Sequence, residues 1–258
     1  MHKNITAATL SLLLPLSFAV LSAPEALATS KESQRKTVAN LSLAMVSPLK
    51  QQNATDGQVF IEKMYACADA YEDYVFEFEM NAFKHGKVVE AGRFYFKKPK
   101  LIRLEETGNF RRGSVAVLGK DGKVKAKAGG GLGFLVIDLS PNSGMLRSAN
   151  GHPMVESDLT SLAQALKVFL QEGKVARVSS EPISFGQSTD KVHVLEIFHD
   201  RALNDIYKRV AVHPKTMLPV EWWDYEDGKL VSHSRWMSFR GNLGLTEDVF
   251  TIKGAKVQ

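Results

Sequence analysis

The sequence contains a single cysteine, Cys67, among its 258 residues. An intramolecular disulfide is therefore impossible, and the chain must be stabilised by an apolar core. We predict that Cys67 is a small buried residue on a helix rather than a catalytic thiol, because no partner base with a recognisable spacing accompanies it. About 230 residues remain after the N-terminal segment, which is enough for one sizeable domain.

Long apolar segments are also lacking after the first residues of the chain. The N-terminus carries Lys3, an apolar run over residues 5–20, and the small residues Ala26 and Ala28. This is the pattern of a cleaved export signal. A membrane-spanning helix needs about 20 apolar residues, and the apolar run over residues 5–20 is shorter than this. We therefore predict a cleaved signal peptide over residues 1–28, followed by one domain over residues 29–258.

The excess of positive charge is small, with a formal net charge of +5 spread along the chain. Its densest parts are Lys97–Lys100 and Lys120–Lys127. These lysines alternate with other residues, as on the solvent-exposed face of a strand. Because an exported protein does not meet nucleic acid, we predict no nucleic-acid binding despite the basic excess.

The sequence shows no recognisable catalytic constellation. His193 and His199 lie six residues apart near Asp200 and Asp205, but metal-site motifs are usually tighter than this. The glycine cluster Gly129–Gly133 lacks the lysine-serine ending of a phosphate-binding loop. We predict no catalytic residue, no metal, no cofactor and no enzymatic activity.

The strongest pattern in the chain lies within residues 71–106. Aromatic and apolar side chains alternate with charged or polar ones over Tyr74–Asn81 and again over Arg93–Lys97, which is typical of strands with one buried face. Gly86 lies in a predicted turn between these strands, and a third alternating run follows over Leu101–Glu105. The stretch predicts an antiparallel meander with one aromatic face and one charged face.

Two helices and further strands complete the predicted fold. Apolar spacing places Phe60, Met64, Cys67 and Tyr71 on one face of a first helix, and predicts a second helix over Ser157–Gly173. We predict further strands over Ser114–Leu118, Lys123–Ala128, Phe134–Leu139, Val175–Phe185, Val192–Phe198, Ile206–His213, Val220–Tyr225 and Leu230–Phe239.

A single antiparallel sheet of roughly nine to eleven strands must curl or close. Helices are too few to cover both faces of such a sheet. We therefore predict an α+β fold, in which a curved antiparallel sheet forms an unclosed half-barrel and the helices cover its concave face.

The segment Gly92-Arg93-Phe94-Tyr95-Phe96-Lys97-Lys98-Pro99-Lys100-Leu101-Ile102-Arg103-Leu104 resembles the LolA/LolB-like superfamily of outer-membrane lipoprotein carriers. Leu245-Thr246-Glu247-Asp248-Val249-Phe250, followed by Lys253-Gly254, is similar to the closing segment of that family, whereas Asp121–Gly133 departs from its middle segment. The sequence most resembles a bacterial domain family, without a characterised role, that is related to these carriers. The resemblance implies an unclosed barrel with a helical lid and a location in the periplasm.

The aromatic face and the resemblance together predict a lipid site on the concave side of the sheet. Its predicted lining consists of Phe76, Phe78, Met80, Phe94, Phe96, Ile102, Leu104, Leu162, Leu166 and Phe169. The alternative is a fully packed core made of the same residues, and the sequence leaves both open. Trp222, Trp223 and Trp236 likewise either belong to the core or form the rim of a cavity.

The predicted function is that of a monomeric carrier, which holds a lipid or an acylated protein in the cell envelope. Binding needs no chemistry, because each buried methylene contributes about 0.8 kcal/mol. The alternative is a periplasmic sensor or regulator that binds a membrane protein of the envelope.

Overall fold

The computed structural model describes residues 54–254. The predicted export signal over residues 1–28 lies outside the described residues. In chain order the elements are β1 (Ala54–Asp56), α1 (Gln58–Asp69), β2 (Asp73–Ala82), β3 (Val88–Lys97), β4 (Leu101–Glu106), β5 (Val115–Leu118), β6 (Val124–Lys127), β7 (Val136–Leu139), α2 (Leu159–Gln171), β8 (Val175–Ser179), β9 (His193–Phe198), β10 (Ile206–Val212), β11 (Pro219–Glu226) and β12 (Lys229–Gly241).

The strands of this part of the chain form one 12-stranded sheet in the order β1-β8-β9-β10-β11-β12-β2-β3-β4-β5-β6-β7. Neighbouring strands are antiparallel, and β1 and β7 form the two edges without closing on each other. The predicted α+β fold with an unclosed half-barrel is thereby confirmed. Strand β8 ends at Ser179, short of the predicted Phe185, because Pro182 follows and cannot donate to a strand ladder.

The meander predicted within residues 71–106 is present as strands β2, β3 and β4. Gly86 has φ +96° in the turn between β2 and β3, a conformation that glycine adopts without strain. Tyr74 pairs with Phe96, which in turn pairs with Ile102, so the aromatic positions of the three strands share one face.

Both helices pack against the concave face of the sheet. Helix α2 begins after Asp158, whose side chain accepts a hydrogen bond from the Ser161 amide at 2.9 Å. Helix α1 buries Ile61, Met64 and Ala68, so the predicted stripe is displaced by about one position and Cys67 is only partly buried. Within residues 54–254, neither helix is long and apolar enough to cross a membrane.

The convex face of the sheet is also covered over part of its area. Leu245, Val249 and Phe250 of the C-terminal segment pack against Val75 and Tyr95 of the sheet. The buried carboxylate of Asp73 accepts hydrogen bonds from the amides of Leu243 and Leu245, at 2.6 and 2.8 Å, and so fixes the start of this segment. A separate cluster forms where residues 183–185 cover Trp223 and Tyr225. The sheet therefore has apolar contacts on both faces.

Candidate functional site

A hollow of about 170 Å³ lies on the concave side, between the sheet and helix α2. Residues 140–157, which connect β7 to α2 and are called the cover loop below, close it from another side. Seven of the ten residues predicted for the lipid site line it: Phe76, Phe78, Met80, Phe94, Leu104, Leu162 and Phe169. Trp222 and Trp236 add to the lining, with ring centroids 6.3 Å apart.

The other three predicted residues do not line the hollow. Phe96 and Ile102 are buried in the cluster around Tyr74, where the Phe96 and Tyr74 rings stack at 4.9 Å. Leu166 of α2 is buried against α1 and the strands β8 to β10. These three side chains are core residues, whereas the other seven border the hollow.

The hollow lies where the inward-facing side chains of β3 become smaller, from Phe94 to Gly92. Phe78 lies opposite Gly92 and Met80 lies opposite Glu90, whereas Phe76 lies opposite Phe94. The Phe78 ring occupies the space above Gly92, where an added Cβ would be 2.9 Å from the Phe78 Cε1 atom. A glycine at this position lets the ring lie flat on the sheet and leaves space beyond it.

A second hollow, of about 520 Å³, lies under strands β4 to β7. It shares Leu104, Arg111, Leu146 and Met154 with the first, so the two adjoin along the concave face. Its apolar lining includes Val115, Ala116, Ala126, Leu135, Ile137, Leu139 and Met145. Leu146 and Met154 of the cover loop are buried between the two hollows.

Two buried glutamates stand on the wall near this boundary. Glu90 faces the first hollow and Glu106 the second, and their side chains are hydrogen-bonded to each other. Burial raises the pKa of Glu106 to about 9, and the negative charge of Glu90 adds to the increase. Burial also raises the pKa of Glu90, although the Ala149 amide, which donates to it at 2.6 Å, acts in the opposite direction. The pair therefore keeps a proton at neutral pH.

The cover loop is tied to the sheet side by polar contacts. Besides the bond from Ala149 to Glu90, the Asn150 side chain donates to Ser232 Oγ at 3.2 Å. The Arg111 guanidinium donates to the carbonyl oxygen of Arg147 at 3.0 Å. The cover loop is thus held to the sheet side by a few hydrogen bonds in addition to the buried side chains of Leu146 and Met154.

Two charged side chains on the lining of the first hollow, Lys208 and Asp224, are paired with each other. Lys208 Nζ lies 2.5 Å from Asp224 Oδ1, and the Trp222 indole donates to the same oxygen at 2.8 Å. The Ser232 hydroxyl donates to the other oxygen of Asp224 at 2.5 Å. These contacts leave the aromatic wall as the main surface that the hollow offers to a ligand.

The remaining candidates from the sequence do not converge. His193 Nδ1 is 3.1 Å from the carbonyl oxygen of Ser179, and His199 Nε2 is 3.7 Å from Asp205 Oδ2. Among residues 54–254, no three His, Cys, Asp or Glu side chains are grouped as ligands of a metal ion. Trp223 lies on the convex face, where it stacks on His233 at 4.8 Å.

Comparison with solved structures finds similar folds. A DUF1329 family protein from Desulfovibrio piger has 13% identity and a TM-score of 0.38, with 76% of this chain and 98% of that chain covered. A conserved protein from Thermus thermophilus has 10% identity and a TM-score of 0.45, with 75% and 91% covered. A LolA superfamily protein from Nitrosomonas europaea has 11% identity and a TM-score of 0.37, with 76% and 98% covered.

The half-barrel is similar to theirs. One of the three is named as a LolA superfamily protein. No family model matches the chain, and a search of curated protein sequences finds no match either. What the protein binds must therefore be argued from its own hollows.

Proposed function

We propose that the protein is an exported carrier of the bacterial cell envelope, which binds the apolar chains of a lipid or an acylated protein on its concave face. The observation that carries this proposal is the hollow beside the aromatic wall. Large apolar side chains surround it, but they do not fill it. Space of this size lined by Phe78 and Trp236 offers apolar surface that an acyl chain could cover.

The size of the hollow indicates how a chain would lie in it. About 170 Å³ exceeds the ~10–15 Å³ that one water molecule requires, but it is below the ~300–1,000 Å³ typical of ligand pockets. The adjoining hollow is larger, at about 520 Å³. A long acyl chain would therefore run from the first hollow into the second by displacing Leu146 or Met154. Eight buried methylenes would contribute about 6 kcal/mol before the cost of binding.

Entry and release would proceed through the cover loop. Each of its hydrogen bonds to the sheet side contributes about 0.5–1.5 kcal/mol, and more where a charged group takes part. Their loss is small beside the free energy gained from a buried chain. A carrier needs this balance, because its ligand must enter and leave without unfolding the sheet.

The direct test is native mass spectrometry of the protein purified from the envelope, followed by organic extraction. We expect an extractable lipid of defined mass and a corresponding mass increase of the intact protein. Protein at its own mass, with nothing extractable and no uptake of added fatty acid, would contradict the carrier proposal.

A charge placed in the hollow should separate binding from folding. We expect Phe78→Asp to remain folded and to lose lipid, because a carboxylate would then face the acyl chain. Val59→Asp is the matched control, since Val59 is 61% exposed on α1 and lies away from the hollow. Lipid retention by folded Phe78→Asp protein would exclude the proposed site.

Leu166→Asp should instead unfold the protein, because Leu166 is buried in the core.

The alternative of a sensor that binds a membrane protein is supported by one surface feature. Phe134 is 82% exposed, and Leu135 and Val136 beside it are also exposed at the edge strand β7. Exposed apolar groups of this kind often mark an interaction surface. Co-purification of one membrane protein from envelope extracts, lost in Phe134→Ser, would favour the sensor.

A further inference from the structure

Glu106 carries a buried oxygen that no N–H or hydroxyl donor of the fold reaches. The side chain is only 5% exposed, and apart from the proton that the carboxyl shares with Glu90, its Oε2 atom meets no hydrogen-bond donor within the described chain. Buried polar atoms are nearly always hydrogen-bonded, and an unsatisfied one costs about 1–3 kcal/mol. Glu106 lies on the wall of the second hollow, so its carboxyl group borders the space that a molecule in that hollow would occupy.

The surroundings of Glu106 decide which kind of group fits there. Its other contact is Glu90, with which it shares a proton, because burial raises the pKa of both carboxyls. The Arg111 guanidinium lies close enough to act in the opposite direction on both pKa values. Arg112 and Lys127 also line the second hollow, and Arg147 and His152 line the first.

A charged head group would be poorly accommodated at this position. An anion would be repelled by Glu90, and a cation would compete with the arginines that already lie beside the pair. An uncharged donor would satisfy the free oxygen without disturbing the shared proton.

We propose that Glu106 is the polar subsite for an amphiphile whose apolar chain carries an uncharged hydrogen-bond donor, a hydroxyl or an amide N–H, at its head. The proposal rests on the proposed function, because it requires an apolar chain in the hollows. It adds the chemical class of the ligand: the donor lies at the boundary of the two hollows and the chain extends from there along the apolar wall.

The test compares two ligands with the same ten-carbon chain, 1-decanol and decyl methyl ether, which differ in the presence of a donor. Their affinities are measured by displacement of an uncharged fluorescent probe with a long alkyl chain from the purified full chain. The variants are Glu106→Leu, which removes the acceptor, and Glu106→Gln, which keeps a carbonyl oxygen and can donate to Glu90 as the protonated acid does. Thermal unfolding of each variant establishes that it is folded.

We expect the ratio of decanol affinity to ether affinity to fall about tenfold from wild type to Glu106→Leu, which corresponds to one hydrogen bond. In Glu106→Gln the ratio should stay within about twofold of wild type. An unchanged ratio in folded Glu106→Leu would overturn the subsite while leaving the carrier proposal intact. Failure of wild-type protein to bind either compound would overturn the carrier proposal, and the subsite with it.

Discussion

The two ends of the β2–β3–β4 ladder follow the same alternation but are packed differently. At one end Tyr74, Phe96 and Ile102 are buried, and the Tyr74 hydroxyl accepts a hydrogen bond from the Leu159 amide at 2.8 Å. At the other end Phe78 and Glu106 stand beside a hollow. Alternation therefore determines which side chains face inward, but it does not determine whether the space they face is filled.

The difference comes from what covers each end. Helix α2 starts directly above Tyr74, and its first residue, Leu159, joins the same apolar cluster. The other end lies under the cover loop, which contributes Leu146 and Met154 as buried apolar side chains. A helix presents a continuous apolar face, whereas a loop held by a few side chains leaves gaps beneath it. The packed end should provide stability and the hollow end should provide binding.

The largest effect should follow a truncation at the packed end. We expect Phe96→Ala to lower the free energy of unfolding by about 3–5 kcal/mol, because it leaves a cavity in a close-packed cluster. Denaturant unfolding measures this change. The folded fraction should still bind lipid, since Phe96 does not line the hollow. A loss below about 1 kcal/mol would mean that this end is also loosely packed.

A smaller effect is expected at the hollow end, at Gly92, which pairs with both Phe78 and Glu106. A Cβ there would overlap the carbonyl oxygen of Glu105 and press on the Phe78 ring. We expect Gly92→Ala to cost about 2 kcal/mol in unfolding free energy, because a backbone atom cannot move aside cheaply. Gly144→Ala is the matched control, since a Cβ at Gly144 meets nothing within 4 Å. Equal stability of the two variants would show that the strand adjusts and that glycine is not required.

The buried glutamates should make stability at the hollow end depend on pH. The pKa of Glu106 is raised to about 9 in the folded protein, so between about pH 4.5 and 9 the folded state holds a proton that the unfolded state has lost. Rising pH therefore favours unfolding in this range. We expect the stability of Glu106→Gln relative to wild type to rise by up to about 4 kcal/mol between pH 5 and pH 8, because each pH unit in this range lowers the stability of wild type by up to about 1.4 kcal/mol.

Chemical denaturation at both pH values measures this difference. Glu62→Gln on the exposed face of α1 serves as the control for loss of one carboxylate. A Glu106→Gln variant whose stability follows that of wild type at both pH values would mean that Glu106 is ionised in the fold.

Local features of the fold can be predicted from the sequence, whereas the presence of the hollow cannot. The turn at Gly86 and the helix start at Asp158 follow from residues within a few positions, and the structure has both. The edge strand Ala54–Asp56 is not among the predicted strands, since its pairing partner β8 is far away in sequence. Whether the concave face is filled depends on where the cover loop lies on the sheet, and no local pattern specifies that.

Strand alternation in the sequence indicates that Glu90 and Glu106 face inward, but their residue type indicates the opposite. Glu90 lies four residues before Phe94, and Glu106 lies two residues after Leu104, so strand alternation places both on the aromatic face. A carboxylate in a strand is usually taken as solvent-exposed. In the fold, each glutamate lies beside the other on neighbouring strands, and the Ala149 amide of the cover loop donates to Glu90. These contacts stabilise the two buried carboxyl groups.

The smallest change in stability should occur at Phe78, where the effect on ligand choice should be clearest. The ring is only partly buried against the hollow, so we expect Phe78→Leu to cost less than about 1 kcal/mol in unfolding free energy. The smaller side chain enlarges the hollow, which should shift the preferred fatty acid toward a longer or bulkier chain. Displacement assays with a series of chain lengths measure the shift.

Phe96→Leu, at the packed end, should be destabilised more and should leave the preferred length unchanged. If both variants changed chain-length preference equally, ligand choice would depend on the sheet as a whole, and the division into a packed end and a binding end would be wrong.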